Sequence, residues 1–237
     1  CVIGVMGAAA RRILEGLSPD DWQDFPFATA RTVTLSGATC LATRLSYVGE
    51  LGWELTIANE DAAAVFDALI AQGARPMGHY ALNGCRIEKG YRHWGHDLGP
   101  EITPLEAGLG FTIDWSKEFR GKAALVAQKQ QGIGQRLVLL SIEGSPLIVH
   151  DEPVLENRRV VGLTTSGAKC VRTGLTLALA LVKHKDVKMR SIYTSLHLLK
   201  VWHPLVRLWR GQKISLIISV IIFVRRSLQK VYQCHMW

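Results

Sequence analysis

Between Arg44 and Ile57 the chain reads Arg-Leu-Ser-Tyr-Val-Gly-Glu-Leu-Gly-Trp-Glu-Leu-Thr-Ile, which crowds two carboxylates, a phenol and a guanidinium around two glycines. On an extended strand alternate side chains share a face, so Trp53, Leu55 and Ile57 point one way and Glu54 and Thr56 the other. If the apolar set faces the core, Glu54 faces a cavity or water, and periodicity alone names no ligand for it. A second group, Glu88, His93, His96 and Asp97, holds residue types suited to acid–base chemistry. Arg86 and Glu88 read as a structural ion-pair or capping set, and the two histidines as hydrogen-bonding loop residues. No Ser-His-Asp order and no phosphate-cradling glycine loop is present, so no catalytic residue is assigned within the chain.

The elements that must position these groups follow from periodicity. Residues 7–17 have a helical spacing of apolar side chains, and residues 31–35 and 40–47 read as strands. Gly49 and Gly52 supply the permissive backbone of a turn, and Trp53–Ile57 is the returning strand. Asn59 can cap a helix whose stripe is Ala62, Val65, Phe66, Leu69 and Ile70 and which stops at Gly73. A shorter helix spans about Tyr80–Lys89, a strand is expected at Leu109–Ile113, and residues 121–131 read as helical. From Arg136 the pattern changes to short strands at 136–142, 153–155 and 159–165. That switch marks a second, smaller β-rich domain starting near residue 133.

Bulk properties narrow the function classes. The 237 residues are 48% hydrophobic, enough for a sizeable core. The five cysteines, Cys1, Cys40, Cys85, Cys170 and Cys234, are odd in number and scattered, which points to a reducing compartment and shows no metal-ligand spacing. The net charge of +8 is uneven: residues 1–183 carry 18 Lys and Arg against 19 Asp and Glu, and residues 184–237 carry 10 against Asp186 alone. A near-neutral body argues against nucleic-acid binding. The tail's most apolar run, Ile214–Val224, is too short to span a bilayer as a helix. The tail from residue 184 reads as unrelated to the fold, with a membrane-surface or partner-binding element as the alternative. The first residue is cysteine, and the chain reads as cut from a longer one.

Four segments in order carry a family resemblance. Ser46-Tyr47-x-Gly49-Glu50-x-Gly52-x-Glu54 is followed by Cys85-Arg-Ile-Glu-Lys-Gly-Tyr-Arg-His-Trp-Gly-His-Asp97, by Thr103-Pro-Leu-Glu-Ala-Gly-Leu-Gly110, and by Gly162-Leu-Thr-Thr-Ser-Gly167. Together they resemble the aminomethyltransferase (glycine cleavage T-protein) family, in the version found at the C-terminal end of dimethylglycine and sarcosine dehydrogenases. Leu82 stands where the plain T protein usually has a folate-holding arginine, which favours the dehydrogenases.

The resemblance implies an α+β fold. Residues 1–116 are the C-terminal portion of an aminomethyltransferase-like folate-binding domain, 117–132 a connecting helix, 133–183 a small β-barrel-like domain lacking its closing strands, and 184–237 an unassigned basic tail. It also implies tetrahydrofolate as cofactor, held by Tyr47 and Glu54, with FAD in an N-terminal domain outside the chain. One carboxylate can accept the ring N–H and exocyclic amino group of a pterin as a bidentate pair, and Tyr47 adds an aromatic wall and a hydroxyl. The implied function is the folate side of an FAD-dependent dimethylglycine or sarcosine dehydrogenase, which passes the oxidised one-carbon unit to tetrahydrofolate. The fragment would be inactive alone because the family's catalytic aspartate lies upstream. Alternatives are a non-catalytic regulatory subunit of the same family or a glycine cleavage T protein. Implied partners are folate, an N-methylated glycine and, by analogy, an electron-transfer flavoprotein, with neither nucleic acid nor a transmembrane segment. The implied location is the mitochondrial matrix in a eukaryote or the cytoplasm in a bacterium.

Overall fold

The computed structural model describes residues 1–183, 192–194, 197–201 and 221–225. It divides into two compact units, one of Cys1–His79 with a strand from the tail, the other from Tyr80 through the residues that build a barrel.

The first unit is a six-stranded sheet in the order β2-β3-β4-β1-β12-β5. Its strands are β1 (Val2–Met6), β2 (Ala30–Leu35), β3 (Ala38–Thr43), β4 (Gly52–Ile57), β5 (Arg75–Pro76) and β12 (Ile221–Arg225). Ser36 and Gly37 form the two-residue turn between β2 and β3, both at positive φ, as a twisted hairpin needs. One sheet face is packed by α1 (Ala10–Glu15) and α2 (Ala62–Ala71), which bury Ile13, Leu14, Val65 and Leu69 against Ile3, Val5, Val33, Leu35, Leu55 and Ile57. At the centre of that core stand Trp22, Phe25 and Trp53, with ring centroids 5.4–6.0 Å apart. Large side chains buried to this degree stabilise the fold by about 1.5–3 kcal/mol each.

The second unit holds α3 (His79–Glu88, from Tyr80 on), a 3-10 turn at Gly110–Thr112, α4 (Lys122–Gln131) and the barrel. The barrel strands are β6 (Gln135–Ile142), β7 (Pro153–Glu156), β8 (Arg159–Lys169), β9 (Thr176–Lys183), β10 (Ile192–Thr194) and β11 (His197–Val201). They close in the order β10-β11-β6-β9-β8-β7. Its core is Leu140, Ile142, Ile148, Val154, Val161, Ala178, Ala180 and Val182. The fold is α+β, as expected. Among the described residues no helix is long and apolar enough to cross a membrane.

Several local expectations are corrected. The strand expected at Leu109–Ile113 is the 3-10 turn, because Gly108 adopts φ +69° and the Thr112 hydroxyl donates to the Leu109 carbonyl at 2.8 Å. The N-cap of α2 is Asp61 rather than Asn59. β1 and β9 were not foreseen: β9 is built of Leu and Ala, which favour helix until burial on both faces decides otherwise. The barrel expected to lack its closing strands is closed by β10 and β11, strands of three and five residues in a stretch too short for alternation to be read. The rest of the tail lies outside the described residues.

Candidate functional site

β4 positions Glu54. It alternates as expected, with Trp53, Leu55 and Ile57 fully or nearly fully buried, Glu54 half-buried and Thr56 exposed. Pairing sets Glu54 opposite Gly4 of β1 on one side and Thr43 of β3 on the other. Gly4 contributes no side chain, so the carboxylate's nearest cross-strand neighbour on that face is Thr43. Glu54 shares its face of the sheet with Thr43, Thr56, Leu41 and the fully buried Met6, and the other side of β4 faces the aromatic core.

Tyr47 is not on a strand. β3 ends at Thr43, and residues 44–51 form a loop with Tyr47 half-buried in it. The expected strand over 40–47 fails at its end because the loop has other anchors. The Arg44 N–H donates to the Thr29 carbonyl at 2.8 Å, the Ala28 N–H to the Arg44 carbonyl at 2.9 Å, and the Gly7 N–H to the Leu51 carbonyl at 2.7 Å. Arg44 Nη1 also donates to the Gly52 carbonyl at 3.2 Å. Gly49, at φ +76°, makes the reversal. A Cβ at Gly52 would come within 2.6 Å of Met6 Cγ and 3.1 Å of the Leu45 carbonyl, so that position needs glycine for packing. Tyr47 and Glu54 thus belong to one hairpin, the first on its pinned loop and the second on its return strand. Glu50 lies on the same loop.

The other three motif segments meet within the second unit, and what they build is a fastening. Arg86, 1% exposed on α3, forms an ion pair with Asp97, which is fully buried. Its Nε donates to Asn83 Oδ1 at 2.7 Å and its Nη1 to the Tyr91 carbonyl at 3.0 Å. Asp97 also accepts from the His93 backbone N–H at 2.9 Å, from Thr165 Oγ1 at 2.5 Å and from Ser166 Oγ at 2.7 Å. With Arg86 that makes four donors, about the number a carboxylate can accept. Gly167 completes the close fit, since a Cβ there would lie 2.6 Å from Ile148.

Arg86 and Glu88 are both structural, as expected, but not with each other. Glu88 instead accepts from the Arg172 and Thr173 backbone N–H groups at 3.2 and 3.1 Å. Thr103 and Glu106 form a reciprocal capping pair, with Thr103 N to Glu106 Oε2 at 2.9 Å and Glu106 N to Thr103 Oγ1 at 3.2 Å. The spacing Thr-x-x-Glu is the sequence signal for that pair. Arg92 Nη2 donates to the Ala107 carbonyl at 2.9 Å, and burial lowers its pKa. The imidazoles of His93 and His96 stack edge to face at 4.8 Å. Among the described residues no three His, Cys, Asp or Glu side chains are arranged to hold a metal ion. Sequence reasoning weighed Asp97 as an acid–base candidate and missed it as the hub of this node.

Comparison with known proteins places this geometry. The GCVT N-terminal domain matches residues 1–117, and the glycine cleavage T-protein C-terminal barrel domain matches residues 135–197. The chain is 37% identical over 190 residues to mitochondrial dimethylglycine dehydrogenase of Homo sapiens, covering 76% of this chain and 22% of that protein. It is 36% identical over 183 residues to an aminomethyltransferase of Listeria welshimeri, covering 76% of this chain and 51% of that one. The chain thus spans about a fifth of the first relative and about half of the second. In fold it is similar to the glycine cleavage system aminomethyltransferase T of Bartonella henselae, with a TM-score of 0.64 at 18% identity over 86% of this chain and 82% of that one. With both domain models matched in order across most of its length, the chain belongs to the glycine cleavage T-protein family.

Proposed function

We propose that this chain is the folate-binding part of an FAD-dependent dehydrogenase of dimethylglycine or sarcosine, and that Glu54 and Tyr47 hold the pterin of tetrahydrofolate. The observation that carries this reading is the setting of Glu54: a half-buried carboxylate on the side of the sheet opposite the aromatic core, beside a glycine, on the same hairpin as a half-buried phenol. That pair of groups fits a pterin, whose two parallel N–H donors a carboxylate accepts together. When bound, tetrahydrofolate supplies two nucleophilic nitrogens that take up a one-carbon unit. The chain's own part is to orient the ring and restrict water around it. FAD in this reading belongs to a domain outside this chain. In this reading residues 1–116 belong to the folate domain, 117–132 connect, and 133–183 form the body of the barrel domain. An electron-transfer flavoprotein is the proposed redox partner, and the mitochondrial matrix is the proposed location in a eukaryote.

A second reading, a plain aminomethyltransferase, draws on the near-equal identity to the two kinds of relative. Leu82 counts against it, because a buried apolar side chain on α3 occupies the place of that enzyme's folate-holding arginine. The experiment is to express the chain with its upstream domains and compare wild type with Glu54→Gln. Folate affinity by calorimetry is expected to fall roughly 10- to 150-fold, the equivalent of about 1.5–3 kcal/mol for a charged hydrogen-bond pair. Flavin reduction by the amine is expected to be spared. Unchanged folate affinity would return Glu54 to the role of a solvated strand carboxylate, and loss of both activities would indicate misfolding.

A further inference from the structure

The aromatic core of the first unit carries an unusual load of positive charge. The Arg44 guanidinium carbon lies 4.7 Å from the centroid of the Trp53 ring and that of Arg11 lies 5.9 Å from the same ring. Arg31 sits 4.3 Å over Phe25, in the same three-ring cluster. Stacking on an indole satisfies the face of a guanidinium but not its N–H edge, and it does nothing for the repulsion between two cations sharing one ring. Among the described residues neither Arg11 nor Arg44 has a carboxylate partner. Their side-chain hydrogen bonds go to neutral acceptors, Gln23 Oε1 at 3.2 Å and the Gly52 carbonyl at 3.2 Å.

The carboxylates of the same region have other partners. Glu15 takes the Gln23 side-chain amide, Asp20 takes Ser18 and the Thr34 N–H, and Asp21 takes the Gln23 N–H. The pKa of Arg44 is lowered, first by burial and then by Arg11. Four donors around this ring are shielded from solvent and lack an acceptor among the described residues: Nε of Arg11, Nε of Arg44, and the indole N–H groups of Trp22 and Trp53. Both tryptophans are fully buried. Buried donors without acceptors are rare in folded proteins, and paired cations without an anion are costlier still.

We propose that Arg11 and Arg44, backed by Trp53, form a binding site for a small oxyanion, a carboxylate or a phosphate. Its place is the aromatic face of the sheet, opposite the face that carries Glu54, so it is separate from the folate site and does not depend on that assignment. An anion between the two guanidiniums supplies the missing acceptors and cancels their repulsion, with charge-assisted hydrogen bonds of the kind arginine makes to planar and tetrahedral oxyanions.

The experiment titrates the full chain with sodium phosphate and, separately, with sodium propionate, at constant ionic strength against sodium chloride. The readouts are calorimetry and the fluorescence of the buried tryptophans. Saturable binding of at least one probe is expected, weakened tenfold or more by Arg11→Gln and by Arg44→Gln. The probe that binds more tightly shows whether a phosphate or a carboxylate is the natural occupant. Arg11→Gln alters a partly exposed residue of α1, and near-UV circular dichroism checks that its aromatic core is intact. Absence of saturable binding with both probes overturns the proposal, and so does binding that survives Arg11→Gln in a folded protein.

Discussion

Replacing Asp97 by alanine removes the acceptor on which two motif segments converge, and its cost can be worked from the contacts. Arg86 is 1% exposed and keeps only Asn83 and the Tyr91 carbonyl once the carboxylate is gone. The hydroxyls of Thr165 and Ser166 and the backbone N–H of His93 lose their acceptor at the same time. Breaking a buried ion pair from one side costs about 3–5 kcal/mol, because an uncompensated charge is left inside. The donors share one acceptor, so their losses overlap and do not sum; a value of about 4 kcal/mol is expected for Asp97→Ala. Urea denaturation measures it as a fall in the midpoint at unchanged slope. The double variant Arg86→Met with Asp97→Leu removes both charges and should recover about 2 kcal/mol or more relative to Asp97→Ala alone. A loss below about 1 kcal/mol for Asp97→Ala, or a double variant no better than the sum of its singles, would refute the view that this ion pair fastens α3 and its following loop to β8.

Three further outcomes are expected. Arg158 holds φ +65° in the two-residue turn between β7 and β8, beside Asn157 at φ +49°, and Arg158→Gly should stabilise the protein by about 0.5–1 kcal/mol, read as a raised urea midpoint. Burial raises the Cys40 thiol to about 11 and the Cys170 thiol to about 12, so both stay neutral in the folded protein where unfolded thiols ionise. The folded state then binds more protons above pH 9, so their contribution to stability is complete below that pH and is lost as pH rises towards about 11 to 12. Alkylation followed by mass spectrometry should label the partly exposed Cys1 and Cys85 well before Cys40 and Cys170. Equal labelling at pH 8 would contradict the burial argument.

The parts of this fold that were legible in the sequence are those where one face of an element is buried. β4 shows it in the alternation of Trp53, Leu55 and Ile57 against Glu54, and α2 in the spacing of Val65 and Leu69. What escaped was set by long-range contact. β1 is only five residues and draws its identity from pairing with β4 and β12, while β9 is buried on both faces and so has no alternation to show. The end of β3 was misplaced because the loop after it is held by Gly7, Thr29 and Gly52, partners that local pattern does not reveal. At the candidate site, the side of the sheet taken by Glu54 was readable, and the loop setting of Tyr47 was not. The node around Asp97 was unreadable for a related reason: the side chains that donate to it lie 11 to 69 residues away, so their types were visible but their meeting was not.

The most direct measurement is a crystal structure of the full-length protein with a reduced folate bound. The account predicts both oxygens of Glu54 within about 3 Å of the pterin ring N–H and its exocyclic amino group, with Tyr47 against the ring. A folate bound with Glu54 turned to solvent, or lodged away from the hairpin of Tyr47 and Glu54, would contradict it.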